Sequence, residues 1–306
     1  MKIALNFLLV FALSVQGFAQ TPSVSSGKID YISNFTSQFV AARDVEIWLP
    51  NGYTPNKKYA ALYMHDGQML FDAATTWNKQ AWEVDEIAGK LQAEKKTRDF
   101  IVVGINNTAK RHPEYFPQKP YESLSVAQRE MVTQALKEKG RITDTFTPLA
   151  DAYLQFLVSE LKPYIDSHYA VDPSPSATCI AGSSMGGLIS LYAICEYPDV
   201  FGGAACLSTH WPGIFAVEGN PVPEAFLNYM RSHLPNSNNH TIYFDYGDQT
   251  LDALYPPLQQ KVDEVMQEKG FDASNWKTQF FPGKDHSEKS WKERLAIPLQ
   301  FLFSIN

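Results

Sequence analysis

Two hydrophobic rhythms alternate along this chain. Residues 59–64, 99–105, 177–180, 202–208 and 241–244 are short runs, apolar almost throughout, as in strands covered on both faces of a parallel sheet. Between them lie longer stretches with apolar residues every three or four positions, the spacing of helices that bury one side. These are 82–91, 125–139 (Val126, Met131, Leu136), 153–168 (Leu154, Phe156, Leu157, Leu161, Ile165), 224–233, 255–269 and 290–304. Pro163 is expected to bend the helix that contains it. Residues 29–39 and 43–49 instead alternate apolar and polar side chains, most clearly in Arg43-Asp44-Val45-Glu46-Ile47-Trp48-Leu49, before Pro50-Asn51-Gly52 breaks the chain. They predict a hairpin that opens the sheet, and 277–281 predicts its last strand. The whole predicts an α/β fold: a mostly parallel central sheet, an N-terminal antiparallel hairpin, and helices on both faces.

Composition adds exclusions. The 306 residues, 44% of them hydrophobic, fit one large domain over 20–306, with no linker-like stretch or repeat to divide it. A formal charge of −7 with no basic patch argues against a nucleic-acid partner. Met1-Lys2, the apolar run to Leu13, and the small residues Gly17 and Ala19 predict a signal peptide over 1–19, cut after Ala19. The protein is therefore expected to be periplasmic or secreted. The run is too short for a membrane anchor, and no cysteine follows it to carry a lipid. Cys179, Cys195 and Cys206 lie in apolar segments and read as buried free thiols, with a Cys179–Cys206 bridge as the lesser alternative. Histidines and carboxylates show no tight ligand spacing, so neither a metal nor a cofactor is expected.

The chemistry centres on Ala181-Gly182-Ser183-Ser184-Met185-Gly186-Gly187, which joins the apolar run 177–180 to the helical stretch 188–194. Strand, sharp turn and helix is the context in which Gly-x-Ser-x-Gly exposes a nucleophilic serine; the alternative is a Gly-rich structural turn. Gly182 and Gly186 are expected because a side chain at either would collide with the neighbouring strand or helix. A serine hydroxyl is a weak nucleophile and needs an imidazole to take its proton and an acid to orient that imidazole. His286, after the last strand, is the expected base. His240 sits in a polar loop before a strand, and His65 precedes the elbow and reads as structural. The acid should follow the strand 241–244, where Asp245, Asp248 and Asp252 crowd together. Asp252 is favoured, Asp248 comes next, and Asp245 could instead cap the turn.

Arg111 and Glu114 follow the strand 99–105, and Trp211 follows 202–208, at the edge where open α/β sheets bind ligands. All three are candidate substrate contacts. Equally, Arg111 and Glu114 could pair with each other, and Trp211 could be a wall of the core. Residues 118–150 fit no strand and read as a helical insertion, either a cap over the site or a plain surface helix.

With these residues in view, the chain resembles the putative esterase family of α/β-hydrolases. That family contains enterochelin (siderophore) esterases, feruloyl and acetylxylan esterases, S-formylglutathione hydrolase and mycolyltransferases. The matching stretches are Tyr63-Met64-His65-Asp66-Gly67-Gln68, Trp82-Glu83-Val84-Asp85, Arg111-His112-Pro113-Glu114-Tyr115-Phe116-Pro117, Gly182-Ser183-Ser184-Met185-Gly186-Gly187, and Gly283-Lys284-Asp285-His286-Ser287-Glu288-Lys289-Ser290-Trp291. The resemblance implies the α/β-hydrolase fold, with Ser184 as nucleophile and His286 as base. It also implies an oxyanion hole from the backbone N–H groups of Met185 and Gln68, the latter in a turn that Gly67 allows. The expected activity is that of a secreted serine carboxylic-ester hydrolase working through an acyl-enzyme. Small-molecule or carbohydrate esters, acetyl or feruloyl, are the expected substrates. A siderophore esterase, suggested by the Arg111/Glu114 spacing, is the alternative; an acyltransferase and a non-catalytic carbohydrate-binding fold come after it.

Overall fold

Eight strands form one sheet: β1 (Lys28–Phe35), β2 (Arg43–Leu49), β3 (Ala60–His65), β4 (Phe100–Ile105), β5 (Thr178–Ser183), β6 (Gly203–Leu207), β7 (Thr241–Tyr246) and β8 (Trp276–Phe280). Their order is β1-β2-β4-β3-β5-β6-β7-β8. β1 with β2 and β2 with β4 are antiparallel, and every pair from β4 to β8 is parallel. The computed structural model describes residues 21–215 and 217–305; the expected signal peptide lies outside the described residues.

The apolar runs are the central strands because both their faces are covered. Every residue of β3, β4 and β5 is buried. Strand alternation then divides the core in two. Ile101, Val103 and Ile105 face a cluster with Leu154, Leu188, Phe226 and Val262; Phe100 and Val102 face one with Val84, Leu91, Leu295 and Leu299. The expected architecture, a mostly parallel sheet with helices on both faces, is the one observed.

Several helices depart from their expected form. The helix Val126–Glu138 starts at a capping box in which Ser125 Oγ accepts from Gln128 N and Gln128 Oε1 accepts from Ser125 N. Val126 and Met131 are nevertheless exposed, at 64% and 38%, and the buried face is Val132, Ala135 and Leu136. That face joins Tyr121, Leu124 and Phe146 in the main core, so most of 118–150 is body rather than lid. In 150–168, Pro163 lacks an N–H and crowds the carbonyl four residues back. The misfit is taken up by a π-helical turn, Leu157–Leu161, between the helices Ala150–Phe156 and Lys162–His168. The expected helix 290–304 is two, Glu288–Arg294 and Ala296–Leu302, and the break puts Pro298 in a first turn, where no N–H is needed. Arg111–Tyr115 is a further short helix.

All three cysteines are buried and free. Cys179 pairs with Gly203 and Cys206 with Gly182, so the two thiols stand three positions apart along the β5/β6 ladder and form no bridge. Among the described residues no helix is long and apolar enough to cross a membrane.

Candidate active site

β5 ends at Ser183 and the helix Met185–Glu196 starts two residues later, leaving Ser184 alone at the turn with φ 58° and ψ −121°. A side-chain-bearing residue seldom occupies that region, so the surroundings must impose it. They do so through the main chain: Ser184 N donates to Leu207 O at 2.9 Å, and Ser184 O accepts from Gly187, Leu188 and His210 N–H groups. At Gly182 a Cβ would come within 2.9 Å of the Gly186 backbone, a true exclusion. At Gly186 the nearest atom would be His65 Cβ at 3.4 Å, so the expected collision is absent there; on the helix side the tight position is Gly187, 2.8 Å from Thr209 Oγ1.

His286 lies on the loop after β8, and Asp252 on a 3-10 turn, Thr250–Leu254, after β7. Asp252 is wholly buried, with Oδ1 2.6 Å from His286 Nδ1. Its Oδ2 accepts from Ser208 Oγ at 2.6 Å and Gly247 N at 2.7 Å. Ser208 Oγ in turn accepts from Trp291 Nε1 at 3.0 Å and Arg294 at 2.8 Å, so its one donor and two acceptor sites are all used. The other two aspartates do different work. Asp248 is half-buried and accepts from Gly283 N at 2.7 Å. Asp245 is buried against Arg294 at 2.9 Å, and burial pushes its carboxyl up to about 6 against the pull of that guanidinium.

The loops that carry Asp252 and His286 are bonded to each other. Asp248 N and Gln249 N both donate to Lys284 O at 3.1 Å, and His286 N donates to Thr250 Oγ1 at 3.0 Å. The His286 ring is edge-on to Trp291 at 4.9 Å and to Tyr255 at 5.8 Å. An imidazole held this way, with Nδ1 on a buried carboxylate, keeps Nε2 available as a base.

After β3 the left-handed residue is Asp66, φ 59°, rather than Gly67. Gly67 is demanded by close approach instead, since a Cβ there would be 2.4 Å from Asn106 Oδ1 and 2.7 Å from the Gly104 carbonyl carbon. Arg111 grips Asp66 in a fork of 2.7 and 2.8 Å. Burial alone would raise the Asp66 carboxyl, but Arg111 and the Asn107 amide outweigh it and hold it below its ordinary value. The Gln68 side chain accepts from Asn107 N at 3.1 Å and pins this turn. Among the described residues the backbone N–H groups of Gln68 and Met185 have no acceptor.

Ser184, His286, Gln68 and Arg111 share one open cleft of about 640 Å³, with Trp77 and Trp82 on its walls. Two expected substrate contacts are elsewhere. Glu114 is fully buried and paired with Arg43 through both oxygens, at 3.0 and 2.8 Å. Trp211 is a core residue, 2% exposed, donating to Gln259 Oε1 at 2.8 Å. Arg111 pairs with Asp66 rather than with Glu114. His65 bonds Tyr153 OH at 2.9 Å and is held down at about 3, chiefly by burial; His240 bonds two backbone carbonyls. Ser208, Tyr255 and Arg294 went unmarked in the sequence, and Trp291 entered only as the end of a matching stretch; the one available signal was that Ser208 is a polar residue directly following an apolar strand. Among the described residues no group of three or more histidines, cysteines or carboxylates could hold a metal.

A family model described as "Putative esterase" matches residues 37–302. The protein YbbA of Bacillus subtilis (strain 168), described as uncharacterized, is 28% identical over 271 residues, which cover 86% of this chain and 94% of that one. Among solved structures, a ferulic acid esterase superposes with a TM-score of 0.62 at 19% identity, covering 90% of this chain and 98% of its own. The enterobactin esterase FES from Shigella flexneri superposes with a TM-score of 0.65 at 16% identity, covering 92% of this chain but 60% of its own. At such identities the two structures speak for the fold alone.

Proposed function

The chain belongs to the putative esterase family of α/β-hydrolases, and from that premise we propose that it is a serine carboxylic-ester hydrolase. The observation that carries this reading is the 2.6 Å contact between buried Asp252 and His286, whose ring lines the cleft that also contains the elbow serine. Ser184 Oγ attacks the ester carbonyl carbon while His286 Nε2 takes its proton. Asp252 fixes the ring and offsets the imidazolium charge. The carbonyl oxygen becomes an anion between the N–H groups of Met185 and Gln68. The carbon–alkoxy bond then breaks, His286 returns the proton to the leaving alcohol, and the acyl group stays on Ser184 until a water activated by His286 releases it.

The alcohol is proposed to be a carbohydrate. Trp77 is 84% exposed on the cleft wall, close in the chain to Asn78 and Gln80, and an aromatic face flanked by amides suits a sugar ring. Export after cleavage at Ala19 belongs to the same proposal, and N-terminal sequencing of the mature protein checks it. The siderophore alternative is weakened because Glu114, half of the spacing that suggested it, is buried on Arg43. Hydrolysis of p-nitrophenyl acetate by wild type and Ser184→Ala tests the reading, and equal rates overturn it. Acetylated xylan, methyl ferulate and a catecholate siderophore, assayed side by side, decide the substrate.

A further inference from the structure

A second, smaller cavity of about 260 Å³ meets the main cleft along Ser184, Arg111, Arg141 and Leu251, which line both. The two differ in what they share with the catalytic groups. His286 and Gln68 line only the large cleft; Met185 and His210 line only the small one. On the ester-hydrolase reading, on which this inference rests, His286 must hand its proton to the leaving oxygen. The alcohol therefore departs on the His286 side, in the large cleft. The acyl group remains on Ser184 and extends into the small arm.

The small arm has an apolar floor of Ile214 and Phe215 and a cationic rim. Arg111 lies on that rim, but its charge is matched by Asp66. Arg141 has no carboxylate partner among the described residues. Its guanidinium stands 5.7 Å from the ring centre of Phe215, a wall of the small arm alone. His112 lines the same arm, and its buried Nε2 has no hydrogen-bond partner. Burial, then the charges of Arg111 and Arg141, hold that imidazole down at about 4, so it is neutral and can donate without adding charge. An apolar stem ending at an unmatched guanidinium is complementary to one kind of acyl group.

We propose that the small arm is the acyl subsite and that it takes an acyl group ending in a carboxylate, held by Arg141. The substrate is then a half-ester of a dicarboxylic acid. The covalent step is unchanged: the Ser184 Oγ–acyl bond forms, the carbon–alkoxy bond breaks, the proton passes through His286 to the alcohol, and water releases the dicarboxylate. Residues 118–150 thus contribute through Arg141, just past the helix Val126–Glu138, and not as a lid.

The test compares kcat/KM for monoethyl glutarate and ethyl pentanoate by proton release. A second pair, acetoxyacetate and propyl acetate, carries the charge on the alcohol side. Wild type is expected to favour the glutarate half-ester by about tenfold or more, as a charge-assisted pair provides. Arg141→Gln should abolish that preference and Arg141→Lys should keep most of it. Lys139→Gln, which removes a cation from the same Phe215 ring but outside the cavity, should leave the ratio unaltered. A wild-type ratio at or below one, a ratio that survives Arg141→Gln, or an equal preference for acetoxyacetate overturns the proposal. Loss of Ser184-dependent p-nitrophenyl acetate hydrolysis is a separate result, and it would overturn the ester-hydrolase reading itself.

Discussion

Ser208 Oγ donates to Asp252 Oδ2 at 2.6 Å. The acid that meets His286 is thus anchored by a hydroxyl lying outside the Ser/His/Asp set, and that hydroxyl also accepts from Trp291 and Arg294. Ser208→Ala removes one of the two donors to Asp252 Oδ2 and strands two buried donors. Stability in urea should fall by about 1–3 kcal/mol, the cost of unpaired buried polar groups. Turnover of p-nitrophenyl acetate should fall by about tenfold or more as Asp252 loses its orientation. Unchanged turnover in a folded variant would show that Gly247 N alone holds the acid.

Asp252→Asn keeps the shape but cannot stabilise an imidazolium or fix the ring's tautomer. By analogy with the same change in a serine protease, kcat should drop by about four orders of magnitude. Asp248→Asn touches only the bonds its Oδ1 accepts from Gly283 N and Gln249 Nε2, and should cost less than about threefold. Parallel kinetics on the two variants decide between them, and a reversed order would return the assignment to Asp248.

Glu114→Gln leaves the Arg43 guanidinium buried without a counter-charge. Breaking one partner of such a pair costs about 3–5 kcal/mol, to be read from the urea midpoint at neutral pH. KM should stay within about twofold of wild type, since Glu114 does not line the cleft. A large KM effect with little loss of stability would restore it as a substrate contact.

Glu46 is 4% exposed on β2, and burial pushes its carboxyl up to about 8 despite the Asn106 amide. Its unfolded value is about 4, so between these limits the folded chain holds a proton that the unfolded chain has released. Stability from this group is therefore complete below pH about 4 and is lost as the pH climbs to about 8. Glu46→Gln should flatten that slope and gain on wild type, by on the order of a few kcal/mol, as the pH rises from about 5 to 8. Urea melts across this range check it; parallel curves would mean that Glu46 titrates normally.

The parts that could be read in advance were those written in local pattern. The runs that became β3, β4 and β5 are apolar because both faces are covered, and the elbow announces itself through Gly182, whose Cβ has no room. What could not be read depends on partners far along the chain. Glu114 looked like a cleft residue until Arg43, 71 positions earlier, occupied both its oxygens. Val126 and Met131 fit a helical stripe, but Tyr121, Leu124 and Phe146 turned the helix so that Val132 faces inward. Among three aspartates within eight residues, the sequence could favour Asp252, but only the 3-10 turn that swings it under His286 separates it from Asp248. Ser208 carries no motif at all, and its role exists only because β6 ends beside β7.

Asp252 and His286 both ride on the last two strands, and β8 is one edge of the sheet, half-exposed along its length with Phe280 at 45%. Their loops are bonded to each other more than to the central strands, so this corner can fray as a single patch while β3, β4 and β5 stay intact. A heated sample would then stop turning over while its circular dichroism still looked native. Residual activity would report the melting of one corner, and a thermostable variant would be sought by reinforcing β8 rather than the core.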